Sequence, residues 1–177
     1  MFSPRKRVYR SDETEGFSHW EFEDGGYHFV TNRDLFGNER DYQFKPFFHE
    51  TARHGILVFE IARYLRNYTR KIKTYLSRKP DIVFLINGKE WAVEIETGII
   101  LKKNKQQLLY KVQSLRENYG RRWFFVITDR NLLNSYKRYG KTYTRRNIIR
   151  KIDNIMNENG IEFNSKNLPS EREYNWD

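Results

Sequence analysis

Asp81 and Glu94 are the two acids whose placement could do chemistry. Twelve residues separate them, at the ends of a segment that reads as a β-hairpin. Ile82 to Ile86 is an unbroken apolar run of strand-forming residues, as a strand buried on both faces requires. Asn87-Gly88 follows, a two-residue hairpin signal, and Lys89 to Glu96 returns with Trp91, Val93 and Ile95 on one face. A type I′ turn at Asn87-Gly88 sets Ile86 opposite Lys89, Phe84 opposite Trp91 and Asp81 opposite Glu94. Facing Cβ atoms are about 4.5 to 5.5 Å apart, and like charges there destabilise a sheet. A divalent cation held by oxygen ligands, Mg²⁺ or Mn²⁺, would offset that repulsion. The alternative is that Asp81 turns into water and Glu94 pairs with a basic neighbour. Glu94, between Val93 and Ile95 and opposite an apolar strand, is costly to leave unpaired. Glu96 shares its face, and pairing continued past Pro80 would set it opposite Lys79 as a salt bridge.

The elements around the hairpin make an α/β chain, a mixed sheet with helices on both faces. From Thr51, Leu57, Val58, Ile61, Tyr64, Leu65 and Tyr68 form one helical stripe, with Arg63, Arg66 and Arg70 on the opposite face. Lys71 to Leu76 fits a helix tail or a strand, and Lys79-Pro80 ends any helix. A helix is predicted over Lys103 to Tyr119, with Leu108, Leu109, Val112, Leu115 and Tyr119 inward and Gly120 as its cap. Trp123 to Thr128 reads as a buried strand and Asn131 to Tyr139 as a short helix ended by Gly140. Thr144 to Asn157 is a last helix with Ile148, Ile149, Ile152, Ile155 and Met156 at core spacing. Three segments result: an N-terminal extension (1–45), a core (46–160) and a polar tail (161–177). The extension carries a basic arm (Arg5, Lys6, Arg7, Arg10) and a hairpin in which Phe22 and Phe29 face each other across Gly25-Gly26.

A chain of 177 residues suits one domain with appendages, and its 33 Lys and Arg against 23 Asp and Glu leave +10. That surplus favours an anionic partner, nucleic acid above all, although it also serves solubility alone. No cysteine is present, which excludes disulfides, thiolate zinc and thiol nucleophiles. No apolar stretch is long enough for a bilayer and none follows the basic N-terminus, so neither membrane insertion nor secretion is expected, and the expected compartment is the cytoplasm. HExxH, P-loop and GxSxG patterns are missing, which removes those chemistries. Basic residues cluster at Arg121 and Arg122 and again at Lys137, Arg138, Lys141, Arg145 and Arg146. Tyr64, Tyr68, Tyr75, Tyr136, Tyr139 and Tyr143 interleave with the basic residues, fitting either base stacking or the core. His49 and His54 flank Glu50, and a surface or packed role is the ordinary reading of such a histidine.

Pro80-Asp81 followed by Glu94-Ile95-Glu96 resembles the active-site pattern of the PD-(D/E)XK nuclease superfamily. Gln107-Leu108-Leu109-Tyr110 is similar to a QxxxY signature of one branch, in register if Gln106 is counted. With Phe48-His49-Glu50-Thr51-Ala52, the motifs between His49 and Asp129 most resemble the nuclease-like domain of replication-relaxation proteins of plasmids and conjugative elements. The resemblance implies a restriction-endonuclease-like fold and a Mg²⁺ (or Mn²⁺) ion held by Asp81, Glu94 and the Ile95 carbonyl, with Glu50 as a further ligand. It also implies catalytic places for Glu96 and Gln107. The superfamily usually has lysine where this chain has Glu96. Lys102, Lys103 and Lys105 sit where a substitute from the next helix would come, or they form only a DNA-facing edge. With Lys79, Arg121 and Arg122 they are the expected nucleic-acid contacts. The implied partner is DNA of a mobile element, with a homodimer left open. The alternative, motivated by Glu96, is a catalytically inactive module of the same fold that binds nucleic acid or a protein.

Overall fold

The computed structural model describes residues 7–14, 16, 18–47, 50–76 and 79–164. Arg5, Lys6, Phe48, His49 and residues 165–177 of the polar tail lie outside the described residues. In chain order the elements are β1 (Val8–Arg10), α1 (His19–Asp24), β2 (His28–Arg33), β3 (Glu39–Phe44), α2 (Ala52–Leu65), β4 (Ile72–Thr74) and β5 (Ile82–Ile86). They continue with β6 (Lys89–Glu96), α3 (Ile99–Lys103), α4 (Lys105–Tyr119), β7 (Trp123–Ile127), α5 (Leu133–Lys137), β8 (Thr142–Thr144) and α6 (Arg145–Glu158).

β5 and β6 pair in the expected register, Phe84 with Trp91 and Ile86 with Lys89. Asn87 and Gly88 carry φ of 48° and 77°, the left-handed conformations that a type I′ turn demands. The hairpin is the centre of a mixed five-stranded sheet ordered β4-β5-β6-β7-β8. β4 to β6 run antiparallel, and β7 and β8 lie parallel to β6. β7 is buried along its whole length, as its run of large apolar residues requires. The undecided segment 71–76 contains β4, and β8 was not anticipated, because three residues carry too little periodicity.

Helices cover both faces of this sheet. α2 and α6 pack on Val93, Ile95 and Phe124, while α4 and α5 pack on Ala92, Phe125 and Ile127. A second, three-stranded sheet ordered β1-β3-β2 packs Val8, Tyr42 and Phe44 against Ile56 and Phe59 of α2. α2 is therefore apolar nearly all round, because it lies between two sheets. Of the arginines expected opposite its apolar stripe, Arg66 is buried, Arg63 is half-buried beside Glu13, and Arg70, beyond the helix, is exposed. The basic arm is likewise engaged, Arg7 with Glu50 and Arg10 with Glu60 at 2.6 Å.

The N-terminal hairpin exists but is displaced. Glu21 accepts from the Ser18 N–H and hydroxyl at 2.8 Å each, capping α1, so Phe22 is a buried helix residue and Phe29 lies exposed on β2. The expected helix from Lys103 is broken at Asn104, whose side chain accepts from the Gln107 N–H at 3.0 Å and starts α4. Leu109 faces solvent rather than the core. No helix among the described residues is long and apolar enough to cross a membrane.

Candidate functional site

Alternation along β6 sends Val93 and Ile95 into the α2 side of the sheet and Glu94 and Glu96 into the α4 side. Both acids are buried, Glu94 to 5% exposure and Glu96 to 4%. The Lys111 ammonium reaches them from α4, touching Glu94 and lying 3.1 Å from Glu96 Oε1. The Tyr136 hydroxyl donates to the other Glu96 oxygen at 2.8 Å. Glu96 thus pairs with Lys111, which corrects the expected bridge to Lys79. The β5–β6 ladder ends at Ile82 and Val93, and Lys79 stands 4.7 Å over the Tyr75 ring instead.

Asp81 stands at the entry to β5. One of its oxygens accepts the Ile95 N–H at 2.7 Å, which ties it to the strand that carries Glu94. The other lies 3.2 Å from His54 Nε2. His54 Nδ1 in turn lies 3.0 Å from Glu50 Oε1, and Glu50 also pairs with Arg7. Thr51 fixes this turn of α2, its hydroxyl accepting the His54 N–H at 3.3 Å. His54 therefore bridges two carboxylates, a place beyond the surface or packed role that is the ordinary reading of such a histidine.

These contacts set the charges. Burial and then the facing Asp81 charge push the Glu94 carboxyl up to about 8, although Lys111 opposes the rise. Burial alone would lower His54, but its bonds to Asp81 and Glu50 raise it to about 10, so the imidazolium persists at neutral pH. Burial would raise Glu50; His54 and Arg7 outweigh it and hold the carboxyl below its ordinary value. Lys111 is raised despite burial by the charges of Glu94 and Glu96.

A cleft of about 520 Å³ gathers Glu50, His54, Asp81, Glu94, Ile95, Glu96, Gln107 and Lys111. Of the expected basic residues only Lys103 lines it. Lys102 and Lys105 are exposed and do not line it, and Lys79 lines a neighbouring cleft of about 800 Å³ with Tyr75, Tyr110 and Tyr119 that shares Glu94, Gln107 and Lys111 with the first. Arg121 and Arg122 precede β7, at the opposite end of the strands, with Arg122 bonded to the Glu90 carbonyl at 3.0 Å. Tyr136 is fully buried, and Tyr64 and Tyr68 donate to Asp153, so these three are core residues rather than stacking platforms. Among the described residues no three His, Asp or Glu side chains converge as a metal-holding group, since the acids are held in pairs by His54 and Lys111.

Lys111 and Tyr136 were missed. The signal for Lys111 was its position between the inward Leu108 and Val112, one turn beyond Gln107, where a lysine at core spacing needs a buried partner. Compared with protein-family models, with curated proteins and with solved structures, the chain matches none of them.

Proposed function

We propose that this chain is a nuclease-like domain of the PD-(D/E)XK kind, with a restriction-endonuclease-like core, that binds and cleaves DNA with Mg²⁺ or Mn²⁺ for a mobile element. The carrying observation is that Lys111 reaches Glu94 and Glu96 from the helix after the hairpin, standing where the usual lysine is replaced by Glu96. Lys102, Lys103 and Lys105 are not needed for that role.

Asp81, Glu94 and the Ile95 carbonyl would hold the cation. The fit rests on the donor chemistry: hard oxygens, and a buried Glu94 whose charge burial and Asp81 disfavour until a cation offsets it. When bound, the metal supplies Lewis acidity toward phosphate and lowers the pKa of a bound water. Lys111, charged at neutral pH, stabilises negative charge that develops on the scissile phosphate. Glu96 and Tyr136 position that ammonium, and His54 with the Ile95 N–H fixes the Asp81 carboxylate. Gln107, exposed on the cleft wall, orients the sugar-phosphate chain.

The test is cleavage of single-stranded, duplex and branched DNA with each metal by wild type, Glu94→Ala and Lys111→Met. Both variants are expected to lose activity. Equal activity in Glu94→Ala would remove the assignment. A second reading, a non-catalytic DNA-binding module, is favoured by the acid at position 96. It requires binding that weakens steeply with salt and ignores metal, and cleavage by the pure protein excludes it.

A further inference from the structure

A third cleft, of about 690 Å³, opens at the C-terminal ends of β7 and β8, lined by Arg33, Arg53, Arg130, Arg145 and Arg146. Among the described residues none of these five makes an ion pair with a carboxylate, whereas Arg10 and Arg63 each have an acid partner. The one acid on the cleft wall is Glu39. Arg145, half-buried, donates only to neutral acceptors, the Asn32 side-chain oxygen at 3.3 Å and the Arg33 carbonyl at 2.5 Å. These bonds hold the guanidinium in place, and burial lowers its pKa below the ordinary value although the charges of Glu60 and Asp34 oppose the shift. Five guanidinium groups without an ion-pair partner thus share one cavity with a single acid, and an anion there would be attracted by all of them.

The cleft adjoins the acid site. Arg53 and His54 are neighbours on the first turn of α2, one lining each cleft. The Thr128 N–H, on the arginine side, donates to the Glu96 carbonyl at 3.0 Å. Guanidinium groups match phosphate oxygens in bidentate geometry, and the first turn of α6 adds N–H donors that Thr144 leaves without a side-chain cap. Arg33, Arg53, Arg130 and Arg146 are exposed and can be reached by a polymer.

We propose that the arginine cleft binds backbone phosphates of the DNA strand that enters the acid cleft. Placing that strand at Glu94 rests on the nuclease reading; binding by the arginines does not. The test uses the full chain and fluorescently labelled single-stranded and duplex oligonucleotides in EDTA, read by anisotropy over a salt series. Arg130→Gln/Arg146→Gln is compared with wild type, with Arg121→Gln/Arg122→Gln at the far end of β7, and with Glu94→Gln. The first pair is expected to weaken binding about tenfold and to flatten the log–log salt dependence by about 2, with the melting temperature unchanged. Wild-type affinity in that variant, or an equal loss in Arg121→Gln/Arg122→Gln, overturns the proposal. So does saturable binding of inorganic phosphate at the cleft that leaves DNA affinity untouched. A protein that fails to cut DNA but shows the selective loss refutes the nuclease reading and leaves the cleft assignment standing.

Discussion

Replacing Glu94 by Gln keeps the side chain's size and removes its charge, so the cost of that charge becomes measurable. The carboxyl is raised from 4.5 in the unfolded chain to about 8 in the fold. Below 4.5 both states carry the proton and its stabilising effect is fully present. Between 4.5 and about 8 the unfolded chain is ionised while the folded one keeps its proton, so stability falls as pH rises through that window. A raised carboxyl of this kind makes the window worth a few kcal/mol, on the order of 1 kcal/mol per pH unit, and Glu94 is too buried for solvent to screen it. Glu94→Gln has no such dependence. His54 titrates in both proteins and cancels in the difference to first order. Urea unfolding at pH 5, 6, 7 and 8 is therefore expected to show the variant gaining steadily on wild type, by on the order of 1 kcal/mol per unit and less as pH nears 8. The offset between the curves absorbs the lost bond to Lys111, so the slope is the measured quantity. Parallel curves would mean that Glu94 is ionised in the fold across this range and that the electrostatic argument is wrong.

Other substitutions test separate parts of the assembly. His54→Gln removes the cation between Asp81 and Glu50 and is expected to cost about 3 kcal/mol at pH 6.5, a cost that shrinks as pH rises toward the folded value of about 10; a pH-independent cost would contradict it. Asp81→Asn must point an amide donor at either the Ile95 N–H or His54, so it is expected to destabilise by about 1 to 2 kcal/mol despite relieving Glu94. If the site binds metal as proposed, millimolar Mn²⁺ is expected to raise the melting temperature of wild type but not of this variant, and an equal shift in both would show that Asp81 is not a ligand. Gly98→Ala combines a φ of +85° with a Cβ 2.8 Å from Leu132, so thermal unfolding should reveal a loss of about 1 to 3 kcal/mol, and none if the link from β6 to α3 can yield.

The acids were legible because a hairpin is local. Asn87-Gly88 sets the turn, the turn sets the register, and the register brings Asp81 to Glu94 with no knowledge of the rest of the chain. The cations were not legible in the same way. His54 and Lys111 come from helices docked on opposite faces of the sheet, and their meeting with the acids depends on how α2 and α4 sit on it. The second sheet was hidden for a related reason. Its hairpin depends on the turn from Asp34 to Asn38, where the Asp34 carboxylate accepts the N–H groups of Phe36 and Asn38 at 2.9 Å, while Gly25-Gly26 offered a stronger turn signal that instead ends a capped helix.

That division explains how the sheet tolerates so much negative charge. Glu94 and Glu96 point to the α4 face, where one ammonium meets both and Tyr136 binds the remaining Glu96 oxygen. Asp81, displaced to the strand end, is reached from the α2 side by one imidazolium that also holds Glu50. Four acids thus have two shared cations, together with Arg7 on Glu50, and the deficit concentrates on Glu94, the member that burial penalises and Asp81 opposes. In the proposed metal site a cation would take the place of the Glu94 proton, because either one relieves the same charge. Metal affinity there would then be coupled to pH through Glu94 itself, rising as the carboxyl gives up its proton toward pH 8, and titrations with Mn²⁺ at pH 6 and pH 8 that give equal affinities would refute the proposed coupling.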